Sequence, residues 1–273
     1  MTEIALTGRR PGGARGGGTA LWTLVRAHLT LSLRTPVVLL AVLALPFAVL
    51  LTLLLVVGFR FPTIEFGAMP GVRVIDRLLP EMAGTVAAAA GILVLTLQLS
   101  EARATGMLRR LRRSPMRDGS YLAAQAVVAV VLVTASTVLF AAVAFIVYGA
   151  PRSWHPLYLA GALLVVAYCS ISAGLLLGGM RMPRTGARVA APLCFALLFL
   201  CSGAGVPREG WEGVAPWLYE ITTVNPLAQL NDFVFAASQG RLSDTWPAVA
   251  GLLVTAAVAN LVTRRVFDWE GTS

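Results

Sequence analysis

The chain of 273 residues contains no lysine; all 22 of its basic residues are arginine. A P-loop needs a lysine to reach the transferred phosphate, so a self-contained ATPase of the usual kind is excluded. Charge is scarce altogether at 13% of residues, and 13 acids against 22 bases leave a formal net charge of +9. The two histidines, His28 and His155, sit at the edges of apolar runs, and the three cysteines, Cys169, Cys194 and Cys201, sit inside them. Neither set has metal-ligand spacing, and a cysteine in such a run ordinarily behaves as a small buried hydrophobe. The apolar runs hold no acid that could relay protons or balance a cation, which speaks against a proton-coupled antiporter. Ser202-Gly203 has no histidine at a matching depth, so an intramembrane serine hydrolase is disfavoured too.

What the chain does hold is hydrophobe: 57% of residues, with a mean hydropathy of +0.77. That is far above a soluble domain of this length and predicts an integral membrane protein. The topology is oriented by Ser100–Ser120, where Arg103, Arg109, Arg110, Arg112, Arg113 and Arg117 face only Glu101 and Asp118. A segment this basic marks the cytoplasmic side.

Residues 1–18, rich in Gly and Arg, read as a disordered basic cytoplasmic tail without the apolar core of a signal peptide. In 19–35, Thr23, Arg26, Thr30 and Arg34 form a polar stripe opposite Leu21, Trp22, Val25, Leu29 and Leu33. This pattern predicts an interfacial amphipathic helix, the alternative being a prolongation of the first span. Spans are expected at about 37–58, 81–99, 121–148, 157–179, 187–203 and 245–262, each long enough to approach or cross a hydrocarbon core of ~30 Å. The second is rich in Ala and Gly, and the fourth carries Gly174 and Gly178 at small-xxx-small spacing, which suits close packing within the subunit better than a dimer contact. Residues 60–80 read as an outer loop. Before the last span, pieces around 213–223 and 226–237 are too short to cross; they read as helices dipping part-way into the outer leaflet or packing on the spans, or else as amphipathic turns of a surface loop. The expected fold is therefore all-α: one transmembrane permease-like domain over 19–266, with six spans and a cytoplasmic tail from 267 to 273. Sixteen arginines then lie inside and six outside, the acids dividing five to eight in the opposite sense, as the positive-inside rule asks of a chain with both termini cytoplasmic.

Three stretches resemble the permease subunits of ATP-binding-cassette exporters of the ABC-2 type. Glu101-x-Arg103-x-x-Gly106-x-Leu108-x-x-Leu111-x-x-Ser114-Pro115, followed by Tyr121-Leu122, is similar to the family's signature between spans two and three. Ser202-Gly203, Pro207, Pro216-Trp217-Leu218 and Asn225-Pro226-Leu227 resemble its segment before the last span, and Leu33-Arg34-Thr35-Pro36 its N-terminal elbow. One departure is Met107 after the Gly, where the family often has Thr or Ser. The resemblance implies a bacterial plasma-membrane permease, itself no enzyme and without a cofactor, whose ATP is bound by a separate ATPase subunit. It implies a second permease copy or a sister permease and contact with membrane lipids; no nucleic-acid partner is expected. The coupling residues it implies are Glu101, Arg103, Gly106, Leu108, Leu111 and Pro115, with a helix over about 104–113 docking on the ATPase through Leu108 and Leu111. Glu101 is expected either to transmit motion to span two or simply to pair with Arg103 or Arg109. Spans one, two and five would line the pathway, and their apolar character suits a hydrophobic or amphipathic substrate. Drug or antibiotic efflux is the leading expectation; lipid or polysaccharide export and a non-transporting scaffold are the alternatives. No substrate-binding residue is assigned.

Overall fold

The computed structural model describes residues 17–34, 44, 47–49, 51, 65–66, 69–112, 118–149, 155–180, 182–202, 215–243 and 245–267. The expected first span, both tails, Pro115 and much of the segment before the last span lie wholly or largely outside the described residues. Nine described helices follow in order: α1 Gly17–Arg34, α2 Val74–Ala104, α3 Met107–Arg112, α4 Asp118–Tyr148, α5 Pro156–Gly179, α6 Arg184–Leu200, α7 Pro216–Val224, α8 Pro226–Ser238 and α9 Trp246–Val266. Among the described residues the one departure from all-α is an antiparallel ribbon ahead of α2, β1 Glu65–Phe66 and β2 Met69–Arg73. By length and composition α2, α4, α5 and α9 can each cross a membrane, and α6 is a shorter apolar helix.

The fold is built around α2, which packs against α4, α5, α6 and α8 and is buried almost all round. Small side chains make this possible. Gly84, Ala87–Ala90 and Gly91 let neighbouring backbones come close without opening voids. The closest approach is to α5: a Cβ on Gly174 would lie 2.6 Å from Gly91 O, and one on Gly178 would meet Leu99 at 2.8 Å. Ser170 rests directly on Gly91, and Thr96 Oγ1 donates to Ile92 O at 2.8 Å while lying 3.3 Å from Gly174 O. The Gly174–Gly178 face thus serves packing within the subunit.

Two expectations change. Helix α2 begins at Val74 rather than at residue 81 and carries Pro80 inside it. The charges that made 73–77 look like loop are paired, the part-buried Arg73 with Asp76 and the buried Arg77 with Glu81. The segments before the last span are true helices: α8 buries Leu227, Leu230, Phe233 and Val234, which overturns the surface-loop alternative for that piece. Asn225 explains where α8 starts. Its Oδ1 caps the helix by accepting from Leu227 N (2.8 Å) and Ala228 N (3.3 Å), its Nδ2 donates to Leu198 O of α6 (2.9 Å), and Pro226 takes the first helical position.

Helix α1 packs on α4 through Val25, which joins Val94, Ala124, Val128 and Leu132 in one apolar cluster, while Trp22 and Leu31 stay exposed. One described foothold of the expected first span, Val49, is buried with Ile75, Met82 and Phe140.

The close α2–α5 contact makes a differential prediction. Gly174→Ala should destabilise the detergent-solubilised protein by about 1–3 kcal/mol, the usual cost of overpacking. Gly161→Ala, on the same helix with nothing within 4 Å, should be neutral or stabilising. Equal thermal midpoints for the two variants would contradict the contact.

Candidate functional site

At its C-terminal end α2 is stopped by Gly106, whose φ of 69° lies in the left-handed region where a side chain is strained. Thr105 N donates to Glu101 O and Gly106 N to Arg103 O, both at 3.0 Å, closing the last turn. The chain re-enters a helix at once, and Arg110 N donates to Gly106 O at 3.2 Å. The resulting α3 has six residues.

Of the residues that the resemblance singled out, the structure brings Glu101, Arg103, Gly106 and Leu108 to one place. Leu108 is not the exposed knob expected of it. It is fully buried in the core cluster with Leu99, Ala102 and Tyr121. The physical reason is that a helix this short has little else to hold it, so its inward leucine is the anchor between α2 and α4. Met107 is half-buried against the same cluster and Arg110 is exposed. The Leu111 side chain and Pro115 lie outside the described residues.

Arg103 also points inward. Its guanidinium donates to Met180 O at 2.8 Å and to Gly178 O at 2.9 Å and lies 6.0 Å from the Phe267 ring. It therefore satisfies the last carbonyls of α5, where the helix dipole favours a cation, and fastens together the ends of α2, α5 and α9. Glu101 remains half-exposed, and its carboxylate lies 3.7 Å from Arg188 of α6. Arg188 is a partner that the sequence did not suggest; the Arg109 side chain lies outside the described residues. The bridge is loose and solvated, so it adds little stability, at most about 1 kcal/mol.

Beside this junction a polar network ties α1 to the spans. Gln125 Nε2 donates to Tyr121 Oη at 3.0 Å and lies 3.3 Å from His28 Nδ1, and Gln98 Nε2 donates to Ser32 Oγ at 2.9 Å. His28 is buried edge-on to Tyr121, and desolvation lowers its pKa below the ordinary 6.5.

At the opposite end of α2 lies a site that sequence reasoning missed. Arg77 is buried and pairs with Glu81 at 2.7 Å and with Asp232 of α8 at 3.0 Å. It stacks over the Phe235 ring, 4.3 Å from its centroid, and next to it Arg73 grips Asp76 at 2.8 Å through two nitrogens. The signal was present as an Arg77/Glu81 pair at helical i, i+4 spacing, but its partner stands 155 residues away. These acids face a cation already in place.

Ser202 Oγ donates to Phe199 O of its own helix at 2.8 Å, and no group of three His, Cys, Asp or Glu side chains among the described residues is placed to hold a metal ion.

Two outcomes follow from these contacts. Arg77→Met strands the buried Glu81 and Asp232 and should cost about 3–5 kcal/mol of stability, which denaturation in detergent can read. For His28, the unfolded chain takes up a proton with an ordinary pKa while the folded chain resists it, so stability is complete above pH 6.5 and falls as pH drops below it. The thermal midpoint of the wild type should therefore fall more steeply than that of His28→Gln as pH is lowered from about 7.5 to about 5.5. Parallel pH profiles would refute this.

Comparison with known proteins agrees with the geometry. No curated protein matches the chain. A family model described as ABC-2 type transporter matches residues 19–237, which takes in the helices from α1 to most of α8 and all three motif-bearing segments. The chain is a multi-pass membrane protein that belongs to the ABC-2 type transporter family, as a permease subunit.

Proposed function

We propose that this permease is the membrane half of an ATP-driven exporter of hydrophobic or amphipathic compounds, with drug or antibiotic efflux as its role. A separate ATP-binding-cassette ATPase supplies the energy, and two permease halves, identical or sister, enclose the pathway in the bacterial plasma membrane with both termini cytoplasmic. The observation that carries this reading is the hairpin made by the end of α2, Gly106 and α3. A left-handed glycine sets a short basic helix at the tip of the central helix, Leu108 fixes it to the core, and Arg110 is left outward. Force applied to such a helix passes directly into α2 and, through Arg103, into α5. The excess of arginine on one side supports the cytoplasmic placement of this hairpin.

The route of the substrate is the least constrained part. Helix α2 turns its surface inward over most of its length, so it contributes less to a pathway wall than its position in the sequence implied. Helix α6 carries Val189, Leu193, Leu197 and Leu200 exposed at helical spacing. A cavity of about 230 Å³ behind it, between α2, α5, α6, α8 and α9, is almost entirely apolar. Both features favour an apolar cargo.

In this reading Glu101 works by transmitting motion from α2 to α6 through Arg188. Glu101→Ala should leave the thermal midpoint within about 1 kcal/mol of wild type and abolish substrate efflux from cells; unimpaired efflux would remove Glu101 from the mechanism. Purified from its native membrane in mild detergent, the wild type should bring down a Walker-motif ATPase, and Arg110→Glu should lose it without unfolding. A wild-type preparation free of any such ATPase would overturn the exporter reading itself.

A further inference from the structure

On the outward side of the bundle, α4, α5 and α9 enclose a groove of about 540 Å³ that none of the residues considered so far explains. Its walls are apolar, with Val130 from α4 and Leu164 and Ile171 from α5 among them. Along α5 the lining runs from Leu164 to Leu175, about 16 Å at helical rise, which is half of a hydrocarbon core of ~30 Å and therefore one leaflet deep.

Two features are foreign to a surface that merely faces lipid tails. Part-way along, Asn260 Nδ2 donates to Ser172 Oγ at 2.9 Å and to Tyr168 Oη at 3.2 Å, and Tyr168 is substantially exposed. The trio stands about 10 Å from the end of α5, seven residues before Gly179, at a depth where exposed polar groups are costly unless something polar meets them. Where the groove reaches the end of α9, Arg264 joins the lining, no acid is among the lining residues, and Arg264 has no partner among the described residues. The groove thus has an apolar length, a hydrogen-bonding waist and a cationic mouth.

We propose that it holds an anionic phospholipid of the leaflet into which α9 ends, with Arg264 against the phosphate, the Tyr168 hydroxyl and Asn260 amide at the glycerol and ester level, and an acyl chain along Val130, Leu164 and Ile171. A free phosphate would leave the apolar walls uncovered, and an uncharged lipid would leave Arg264 uncompensated. The assignment of that leaflet as cytoplasmic rests on the orientation proposed above; the binding itself does not.

The test uses the full chain in nanodiscs of mixed phosphatidylglycerol and phosphatidylcholine, stripped with detergent, with retained lipid counted by native mass spectrometry. The wild type should retain phosphatidylglycerol over phosphatidylcholine by about fivefold, the worth of one arginine near a lipid surface. Arg264→Gln should lose this preference and Arg265→Gln, adjacent but outside the lining, should keep it. Asn260→Leu should reduce retention of both lipids. Equal retention in wild type and Arg264→Gln, or equal loss in Arg264→Gln and Arg265→Gln, overturns the site in favour of general surface charge. Disulfide-linked dimers of Ala257→Cys in native membranes overturn it in favour of a second copy seated on the groove. No ATPase enters the assay, so its failure leaves the exporter reading standing.

Discussion

A guanidinium taken out of water costs several kcal/mol unless nearly every N–H finds an acceptor, and α2 buries two, Arg77 and Arg103, about 39 Å apart along one axis. The two ends meet the cost differently. At the N-terminal end the acceptors are carboxylates, Glu81 one turn on and Asp232 from α8. At the C-terminal end they are the orphan carbonyls that close α5. Each solution recruits a different helix, so the burial of these side chains decides what packs against the central helix and in which register. Between them the Ala- and Gly-rich stretch supplies no direction of its own; it only permits approach, and α5 takes the opportunity at Gly91, Gly174 and Gly178.

The mechanical consequence is that α2, α5 and α8 form one body. Packed cores transmit displacement because they are dense and little compressible, and here both ends of the packing are pinned by charge-assisted hydrogen bonds. Helix α6 joins this body mainly through apolar packing, with Ala187 and Ala191 buried; among the described residues its polar links are the long, solvated Glu101–Arg188 contact and the bond from Asn225 to Leu198 O.

How far this was legible in the sequence depends on how local each cause is. Apolar length and glycine spacing act within one helix, so α4, α5 and α9 appear close to where periodicity placed them. The start of α2 was hidden because Asp76, Arg77 and Pro80 read locally as loop, and Asp232, the long-range partner of the buried Arg77, stands far along the chain. Asn225-Pro226 stood out as a motif, but its role as a cap joined to α6 needed the Leu198 carbonyl, which no pattern of side chains encodes. Leu108 was read as a knob on a helix over about 104–113, whereas it faces the core, since six residues carry too little periodicity to tell an inward leucine from an outward one.

That reversal of Leu108 alters what recognition by an ATPase would have to use. With that leucine committed to the core, the described α3 side chain that faces outward is Arg110, and the sequence continues with Arg112, Arg113 and Arg117. Attraction to an acidic groove on the partner would then be electrostatic more than hydrophobic, long in reach and weakened by salt. The same arginines are drawn to anionic headgroups, so lipid and partner compete for one surface. In the proposed mechanism two tasks that an exposed leucine would have combined are separated: the arginines would find and orient the ATPase, and the buried Leu108 would deliver the push, because a displacement of α3 would move the cluster of Leu99, Ala102 and Tyr121 in which it is embedded.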